Sequence, residues 1–376
     1  MKKPVLIIFI DAFPYKFLER TKYMKKFPIR FKVRPSLGYS INIKAEIFGG
    51  YAPDNLGWFC KWNYDSESKL KMFTPFFLVL DIFRKINLIN RGLHKFIGKI
   101  FGDIGNIPFR YLPFISKNSV DIFSLSFPKD SLLKSKYLKV IASERFKSSN
   151  LLEKDFEVFK QGLKYIKKNS NSSILLTFVA LDHIGHWKGP YSGEYHSYVL
   201  TIDKYVEELK TYFLKINKNA NVIVLSDHGM SEVEKGVRLD LEKYFGKPSE
   251  KKYFYIMDGT ILRIWCFDFE ICEKIKKFLN NLNLGKVLNR EERAKYGITK
   301  KKFGDIIFLI KERYMFCPSF WGSKLSKGMH GYHPDFENQK GIFLFSGDDN
   351  MEVFSNELTP RNIYFFLRRL LINNEN

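Results

Sequence analysis

Three nearly continuous apolar segments limit what this chain can fold into. Each is followed by an aspartate, either at once or after one serine. The segments are residues 5–10, 174–181 and 222–225, and the aspartates are Asp11, Asp182 and Asp227. Unbroken apolar runs of this length are typical of strands buried on both faces of a parallel sheet. Functional groups of open α/β sheets gather beyond the carboxyl ends of the strands. We therefore expect the three carboxylates to converge.

The segments between these strands predict an α/β fold. Residues 151–168 and 195–216 have helical spacing of apolar and charged positions, and residues 342–345 form a further apolar strand. Alternating strands and helices indicate a mostly parallel central sheet with helices on both faces. The chain has 376 residues, of which 45% are hydrophobic, which is enough for one large core.

Two stretches look like additions to a single catalytic domain that spans residues 1–376. Residues 61–148 are rich in Phe, Ile, Leu and Lys, with several prolines, and predict an apolar and basic helical cap. Residues 253–310 show a strand, a helix and two further strands, which is typical of a small α+β subdomain.

The formal net charge of +22 favours acidic partners such as phosphorylated substrates or anionic membrane surfaces. The lysines are spread along the chain and no nucleic-acid-binding motif is present, so nucleic acid is not an expected partner. Four cysteines without a C-x-x-C pair indicate a reduced cytoplasmic protein, with association at the inner face of a membrane as a variant of that location.

Three histidines lie in glycine-containing motifs that suit metal ligation. His186 follows Asp182 by four residues, His228 directly follows Asp227, and His330 lies between Gly328 and Gly331. Mixed Asp and His donors suit a borderline ion such as zinc. The alternatives are polar loops with chance histidines or a helix cap at Ser226-Asp227.

A hydroxyl-rich segment, residues 34–42, precedes a predicted helix. Its serines include Ser36 and Ser40, either of which could cap the helix. The functional alternative is a metal-activated alkoxide at a helix N-terminus, where phosphate also binds well.

These motifs, taken in order, resemble the alkaline phosphatase superfamily, and within it the type I phosphodiesterase/nucleotide pyrophosphatase branch. They are Asp11, Ser40 with a downstream Gly-Gly-x-x-Pro ending at Pro53, Asp-x-x-x-His from Asp182, Ser-Asp-His-Gly-Met from Ser226 and His-Gly-Tyr from His330. The resemblance implies an alkaline phosphatase-like three-layer fold. Residues 253–309 also resemble the small subdomain of that branch.

The resemblance implies two divalent metal ions, Zn²⁺ or else Mn²⁺. One ion would be bound by Asp182, His186 and His330, and the other by Asp11, Asp227, His228 and the Ser40 hydroxyl. Ser40 would be the nucleophile that forms a phosphoseryl-type intermediate, and Ser36 is a weaker candidate. The branch often has Thr at this position and an Asn a few residues on, whereas residue 43 here is Ile. Asn42 or Lys44 would take over substrate binding.

The expected function is hydrolysis of a phosphate diester or pyrophosphate. The alternatives are a phosphomonoesterase or phosphotransferase acting on a lipid-linked or sugar phosphate, and a non-catalytic basic protein that binds lipid or nucleic acid. The absence of a C-x-P-x-R motif disfavours a sulfatase.

The cap contains an amphipathic basic helix, in which Leu93, Phe96, Ile97, Ile100 and Phe101 share one side and lysines lie between them. Peripheral membrane contact through residues 70–115 is one interpretation. Packing of this apolar side within the protein, or against a second copy in a homodimer, is the other.

Overall fold

The computed structural model describes residues 3–83, 86–102, 104–117, 131–348 and 357–372. Residues 118–130 of the predicted cap lie outside the described ranges. Two compact units are present. The first comprises described residues within 1–52, 121–232 and 326–376, and the second those within 53–120 and 233–325. The prediction of one catalytic domain with two insertions stays a prediction.

The strands are β1 (Val5–Ile10), β2 (Ile29–Val33), β3 (Trp62–Tyr64), β4 (Ile115–Lys117), β5 (Leu138–Ala142), β6 (Ser173–Phe178), β7 (Asn221–Leu225), β8 (Ser231–Glu232), β9 (Lys235–Val237), β10 (Tyr253–Met257), β11 (Ile261–Cys266), β12 (Gly285–Val287), β13 (Ile306–Ile310), β14 (Tyr314–Phe316), β15 (Gly328–Met329), β16 (Gly341–Ser346) and β17 (Glu357–Leu358). The α-helices are α1 (Ser40–Gly49), α2 (Pro53–Leu56), α3 (Thr74–Ile82), α4 (Asn87–Phe101), α5 (Leu151–Lys168), α6 (Ala180–Lys188), α7 (Gly193–Ile216), α8 (Leu241–Phe245), α9 (Phe269–Asn281), α10 (Arg290–Lys295) and α11 (Pro360–Leu371).

A seven-stranded sheet forms the centre of the first unit, in the order β17-β2-β16-β7-β1-β6-β5. Strands β7, β1, β6 and β5 are parallel, with Ile8 of β1 opposite Leu176 of β6 and Val224 of β7. Strand β16 runs antiparallel to both β7 and β2. The predicted α/β fold is confirmed, and the sheet is mixed because of β16.

Both faces of this sheet are covered by helices. Successive residues of β1 point to opposite faces, so their contacts show what covers each one. Leu6, Ile8 and Ile10 belong to the core formed with α5 and α7. Phe9 points the other way and contacts Phe48 of α1, with ring centroids 5.8 Å apart. The first unit is thus a helix–sheet–helix sandwich.

One predicted boundary was wrong. Residues 174–181 were predicted as a single strand, but β6 ends at Phe178 and Asp182 lies in the first turn of α6. Ala180 and Leu181 are buried in that turn, so the apolar run continues from the strand into the helix. An unbroken apolar run does not distinguish a buried strand from the buried start of a helix.

A four-stranded antiparallel sheet, ordered β10-β11-β13-β12, lies in the second unit together with α9. The predicted strand, helix and two further strands correspond to β11, α9, β12 and β13, and β10 is an additional strand that the sequence analysis did not predict. Cys266 at the end of β11 is paired with Cys272 of α9 in a disulfide, with the two Cα atoms 5.6 Å apart. The expectation of reduced cysteines is therefore wrong for this pair. The turn from β11 to α9 brings the two residues together, and their six-residue spacing is not a motif that would have predicted the bond.

Within the described ranges, none of the helices combines the length and apolar character needed to cross a bilayer.

Candidate metal centre and nucleophile

The site forms where the parallel strands of the first unit end. Asp11 follows β1, and its backbone N–H donates to the carbonyl of Phe178 at the end of β6 (2.9 Å). The next residue, Ala12, has a left-handed φ of 60°, and its N–H donates to Oδ1 of Asp227 (3.5 Å). This backbone turn holds the carboxylates that follow β1 and β7 close together. The sequence did not predict the left-handed conformation of Ala12, because alanine rarely adopts it.

Asp182 and His186 share one side of α6 because they are four residues apart. Nε2 of His186 lies 3.4 Å from Oδ1 of Asp182, and Nε2 of His330 lies 3.6 Å from the same oxygen. Nδ1 of His186 is 2.9 Å from the carbonyl oxygen of Gly328. A carbonyl only accepts, so Nδ1 carries a proton, which leaves Nε2 of the neutral imidazole as the nitrogen that could bind metal.

Asp227 and His228 follow β7 in the same way. Nε2 of His228 lies 3.4 Å from Oδ2 of Asp227 and 3.5 Å from Oδ1 of Asp11. Nδ1 of His228 is 2.8 Å from the carbonyl oxygen of Gly229, so Nε2 is again the nitrogen that the neutral imidazole could offer to a metal. The Ser226 hydroxyl donates to the His228 carbonyl (2.8 Å), which fixes the backbone between the two ligands.

These six side chains fit a metal site. Asp11 Oδ1, Asp182 Oδ1 and Asp227 Oδ2 are buried and have no hydrogen-bond partner among the described residues. Burying such oxygens is costly unless something binds them. Their distances of 3.4–3.6 Å to imidazole nitrogens match the roughly 3.4 Å between two ligands that each lie about 2.1 Å from a tetrahedral ion.

The described residues form two ligand clusters. One contains Asp182, His186 and His330, and the other contains Asp11, Asp182 and His228. Asp182 belongs to both, so its carboxylate lies between them. The first cluster equals one of the ligand sets that the resemblance implies. The full assignment of ligands to two ions stays a prediction.

Ionisation of the site reflects its burial. Burial, reinforced by the Asp227 carboxylate, raises the pKa of Asp11 to about 7. Burial would also raise the pKa of Asp182, but the adjacent His186 imidazole outweighs it and holds that pKa well below its usual range. Burial and the adjacent His228 lower the pKa of His330, which keeps its imidazole neutral. Burial lowers the pKa of His186, but the Asp182 carboxylate more than compensates and raises it. Metal binds to neutral imidazoles and ionised carboxylates, so binding would release protons from this site.

Ser40 is the first residue of α1, and its Oγ lies 2.7 Å from Nε2 of His228. The hydroxyl is therefore next to the ligand cluster and at the positive end of a ten-residue helix. Ser36 is placed differently, since its hydroxyl donates to the carboxylate of Glu46. Of the two serines considered as nucleophiles, only Ser40 contacts a predicted metal ligand.

Lys44 lies one helical turn after Ser40, and the structure brings it into the site. Its Nζ is 2.5 Å from Oδ2 of Asp11 and 3.7 Å from Oε1 of Glu144. Burial lowers the pKa of Lys44, but the two carboxylates more than compensate and raise it, so the ammonium stays charged. Glu144 was missed from the sequence, because it lies in a short 3₁₀ turn after β5 and belongs to no motif.

Asn42 does not act as the proposed substrate-binding residue. Its side chain is fully buried, its Oδ1 accepts from the Tyr39 N–H (2.9 Å), and its Nδ2 donates to the Leu37 carbonyl (2.8 Å). The amide therefore caps the first turn of α1. Capping and phosphate binding both place an Asn near a helix start, and the sequence does not distinguish them.

Glycine permits the close approach of β15 to α6. A Cβ on Gly328 would lie 2.4 Å from the Gly185 carbonyl oxygen, a distance that no side chain tolerates. This contact allows the Gly328 carbonyl to accept from His186. His183, the other histidine of this motif, is exposed.

Solved structures of other proteins share the fold of this chain. Murine ectonucleotide pyrophosphatase/phosphodiesterase 5, as an inactive form in complex with AMP, superposes with a TM-score of 0.65 at 16% identity, covering 98% of this chain and 95% of that one. Phosphonoacetate hydrolase from Sinorhizobium meliloti, in complex with phosphonoformate, gives a TM-score of 0.67 at 13% identity, covering 97% and 95%. At such identities the likeness shows the fold, and it confirms the predicted alkaline phosphatase-like architecture.

A curated relative matches a shorter segment. GPI ethanolamine phosphate transferase 2 from Candida albicans is 28% identical over 102 residues, which are 27% of this chain and 11% of the relative. The chain thus matches a small part of that protein's length.

The family model of type I phosphodiesterase/nucleotide pyrophosphatase matches residues 60–333, well over half of the chain. The match favours an enzyme over the non-catalytic alternative. The protein therefore belongs to the type I phosphodiesterase/nucleotide pyrophosphatase family, a family of enzymes that act on phosphoester bonds.

Proposed function

We propose that the protein is a metal-dependent phosphodiesterase or nucleotide pyrophosphatase with Ser40 as its nucleophile. The observation that carries this proposal is the 2.7 Å contact between Ser40 Oγ and His228 Nε2, next to buried carboxylate oxygens that have no hydrogen-bond partner among the described residues. Attack by a hydroxyl needs activation, and Ser40 is the hydroxyl placed against this ligand set.

Two divalent ions, Zn²⁺ or else Mn²⁺, fit the donor chemistry of the site. Asp182, His186 and His330 would hold one, and Asp11, Asp227 and His228 would hold the other beside Ser40. When bound, such ions lower the pKa of a coordinated hydroxyl and neutralise charge on phosphoryl oxygens.

The chemistry of the chain's own residues follows from this placement. Ser40 Oγ loses its proton to solvent and attacks phosphorus, forming a Ser–O–P bond as the bond to the leaving oxygen breaks. The leaving oxygen takes a proton from water. Water then attacks the phosphoseryl group, the Ser–O–P bond breaks, and Ser40 regains a proton.

Charge balance favours an anionic substrate. Asp11, Asp182 and Asp227 contribute up to three negative charges, and the buried Lys44 ammonium returns one positive charge beside Asp11. Two dications would leave a net positive centre, which suits a phosphate ester. Lys44 thus contributes positive charge to this centre through its contact with Asp11.

Hydrolysis of bis-p-nitrophenyl phosphate and p-nitrophenyl phosphate tests the reaction class. We expect faster release of p-nitrophenol from the diester, loss of release in EDTA and recovery with added zinc or manganese. Mass spectrometry of acid-quenched protein should show a phosphoryl adduct on the peptide that contains Ser40. Metal-independent turnover, or an adduct on Ser36, would contradict the proposal.

A phosphotransferase is the second candidate, and the match to an ethanolamine phosphate transferase favours it. The same phosphoseryl group would then pass to an alcohol instead of water. Adding ethanolamine or glycerol during turnover distinguishes the two reactions. A transferase would form the phosphorylated alcohol as its main product, whereas a hydrolase would form the free phosphate monoester in both cases.

A further inference from the structure

Helices α3 and α4 of the second unit carry a dense group of exposed apolar side chains. About half of the exposed large apolar side chains in the described residues lie within residues 72–101. We call this set the apolar face, and its members are Met72, Phe73, Phe76, Leu78, Val79, Ile82, Phe83, Ile86, Leu88, Ile89, Phe96, Ile100 and Phe101. An apolar patch of this density on a folded protein indicates an interaction surface.

Each of the two helices packs into the protein through the side opposite its exposed apolar residues. Phe77 of α3 and Ile97 of α4 are fully buried, and the Phe77 ring packs near Phe101, with centroids 6.0 Å apart. On the outer side, Ile82 is 72% exposed and Ile100 is 58% exposed. Of the five residues predicted to share this side of α4, Ile97 packs within the protein, whereas Phe96 and Ile100 are more than half exposed.

The charge of the same segment selects the partner. Residues 72–101 contain five Lys or Arg and one acidic residue, Asp81. The Asp81 carboxylate is held by Arg110, with Oδ2 3.1 Å from Nη1. On α4 the exposed Lys95 and Lys99 precede Phe96 and Ile100, so ammonium groups border the exposed apolar strip.

We propose that the apolar face docks this protein on an anionic lipid bilayer, with the apolar side chains in the headgroup–acyl boundary and the flanking lysines on anionic headgroups. A basic amphipathic helix lying in the interface plane has this composition. Lysine stems can extend along apolar side chains while their ammonium groups reach phosphates.

A second copy of the chain fits the face less well. A two-fold symmetric dimer places the same patch against itself, so the basic side chains of one copy would meet those of the other. Juxtaposed like charges oppose association, whereas an anionic bilayer supplies the complementary charge.

Vesicle cosedimentation with the full chain tests the proposal. Wild-type protein should bind phosphatidylcholine vesicles that contain phosphatidylglycerol and not vesicles of phosphatidylcholine alone, and added salt should weaken binding. The double variants Ile82→Asp/Ile100→Asp and Lys95→Glu/Lys99→Glu should each lower the partition coefficient about tenfold or more. Circular dichroism confirms that each variant is folded.

Matched controls lie elsewhere in the second unit. Phe269→Asp changes a side chain that is 80% exposed, and Lys276→Glu/Lys277→Glu makes the same charge change on α9. Both should bind vesicles like the wild type. Absence of wild-type binding to anionic vesicles, or equal losses in the controls, would overturn the proposal. So would a face variant that converts a dimer to a monomer, measured by light scattering, with vesicle binding unchanged.

This inference does not rest on the proposed function. Vesicle binding is measured without substrate, and Ser40→Ala should bind vesicles like the wild type. Loss of turnover and loss of docking are thus separate outcomes.

Discussion

Nζ of Lys44 lies 2.5 Å from Oδ2 of Asp11, and both side chains are buried. This pair joins the first turns of α1 to the carboxyl end of β1. It also orients the Asp11 carboxylate so that Oδ1 faces His228 at 3.5 Å. A lysine that fixes the orientation of a metal-binding carboxylate acts on the reaction through that carboxylate.

Lys44→Met should reduce turnover of bis-p-nitrophenyl phosphate on the order of 10–100-fold, because Asp11 loses its orienting partner. Lys340→Met is the matched control. Lys340 is also buried, and it is paired with Glu337 and Glu357 instead of a site carboxylate. Steady-state kinetics at saturating metal separates the two variants. Equal losses in both would indicate a general effect on folding rather than on Asp11.

His186→Ala should remove one metal ion per chain, because His186 is one of the three residues in the cluster of Asp182, His186 and His330. Elemental analysis after dialysis gives the metal content. His183→Ala changes an exposed neighbour in the same motif and should keep the full content. If both variants retained the same metal content as the wild type, His186 would not be a ligand.

Gly328→Ala should lower the free energy of unfolding by on the order of 1–3 kcal/mol, because the new Cβ would meet the Gly185 carbonyl oxygen. The displacement would also weaken the bond from His186 to the Gly328 carbonyl, so metal affinity should fall. Gly193→Ala is the control, since no atom lies within 4 Å of its added Cβ. Urea unfolding measures both, and an unchanged midpoint for Gly328→Ala would contradict the predicted clash.

Asp258 should make stability depend on pH. Burial raises the pKa of Asp258 to about 6 from 3.8, although Arg263 partly opposes the shift. Between these values the folded protein holds a proton that the unfolded chain has released. The free energy of unfolding therefore falls as pH rises from about 4 to about 6, by on the order of 1–3 kcal/mol.

Asp258→Asn should remove that part of the pH dependence, whereas Glu67→Gln, an exposed carboxyl of the same unit, should leave it unchanged. Urea unfolding at several pH values provides the comparison. Parallel pH profiles for wild type and Asp258→Asn would show that Asp258 is ionised throughout.

Apolar periodicity predicted the elements that are buried or strongly amphipathic. Strand β1 has the predicted bounds, as does α5, because strand burial and helical spacing leave clear patterns. Strand β6 was predicted three residues too long, since the first turn of α6 is apolar as well. Local patterns do not reveal where a buried chain changes conformation.

The six predicted ligands lie together, yet the sequence does not show how they are oriented. The hydrogen bond from Nδ1 of His186 to the Gly328 carbonyl joins residues that are far apart in the chain. The same holds for the salt bridge from Lys44 to Asp11. Contacts between residues far apart in the chain need the fold to be known. Cytoplasmic location stays a prediction.

Turnover of metal-depleted protein during zinc titration tests the central proposal most directly. We predict that hydrolysis of bis-p-nitrophenyl phosphate is absent without metal and reaches its maximum at about two equivalents of zinc per chain. Ser40→Ala should bind the same number of zinc equivalents as the wild type. Its turnover should be lower by about three orders of magnitude or more. Full turnover by the metal-depleted protein, or by zinc-loaded Ser40→Ala, would contradict a metal-dependent reaction at Ser40.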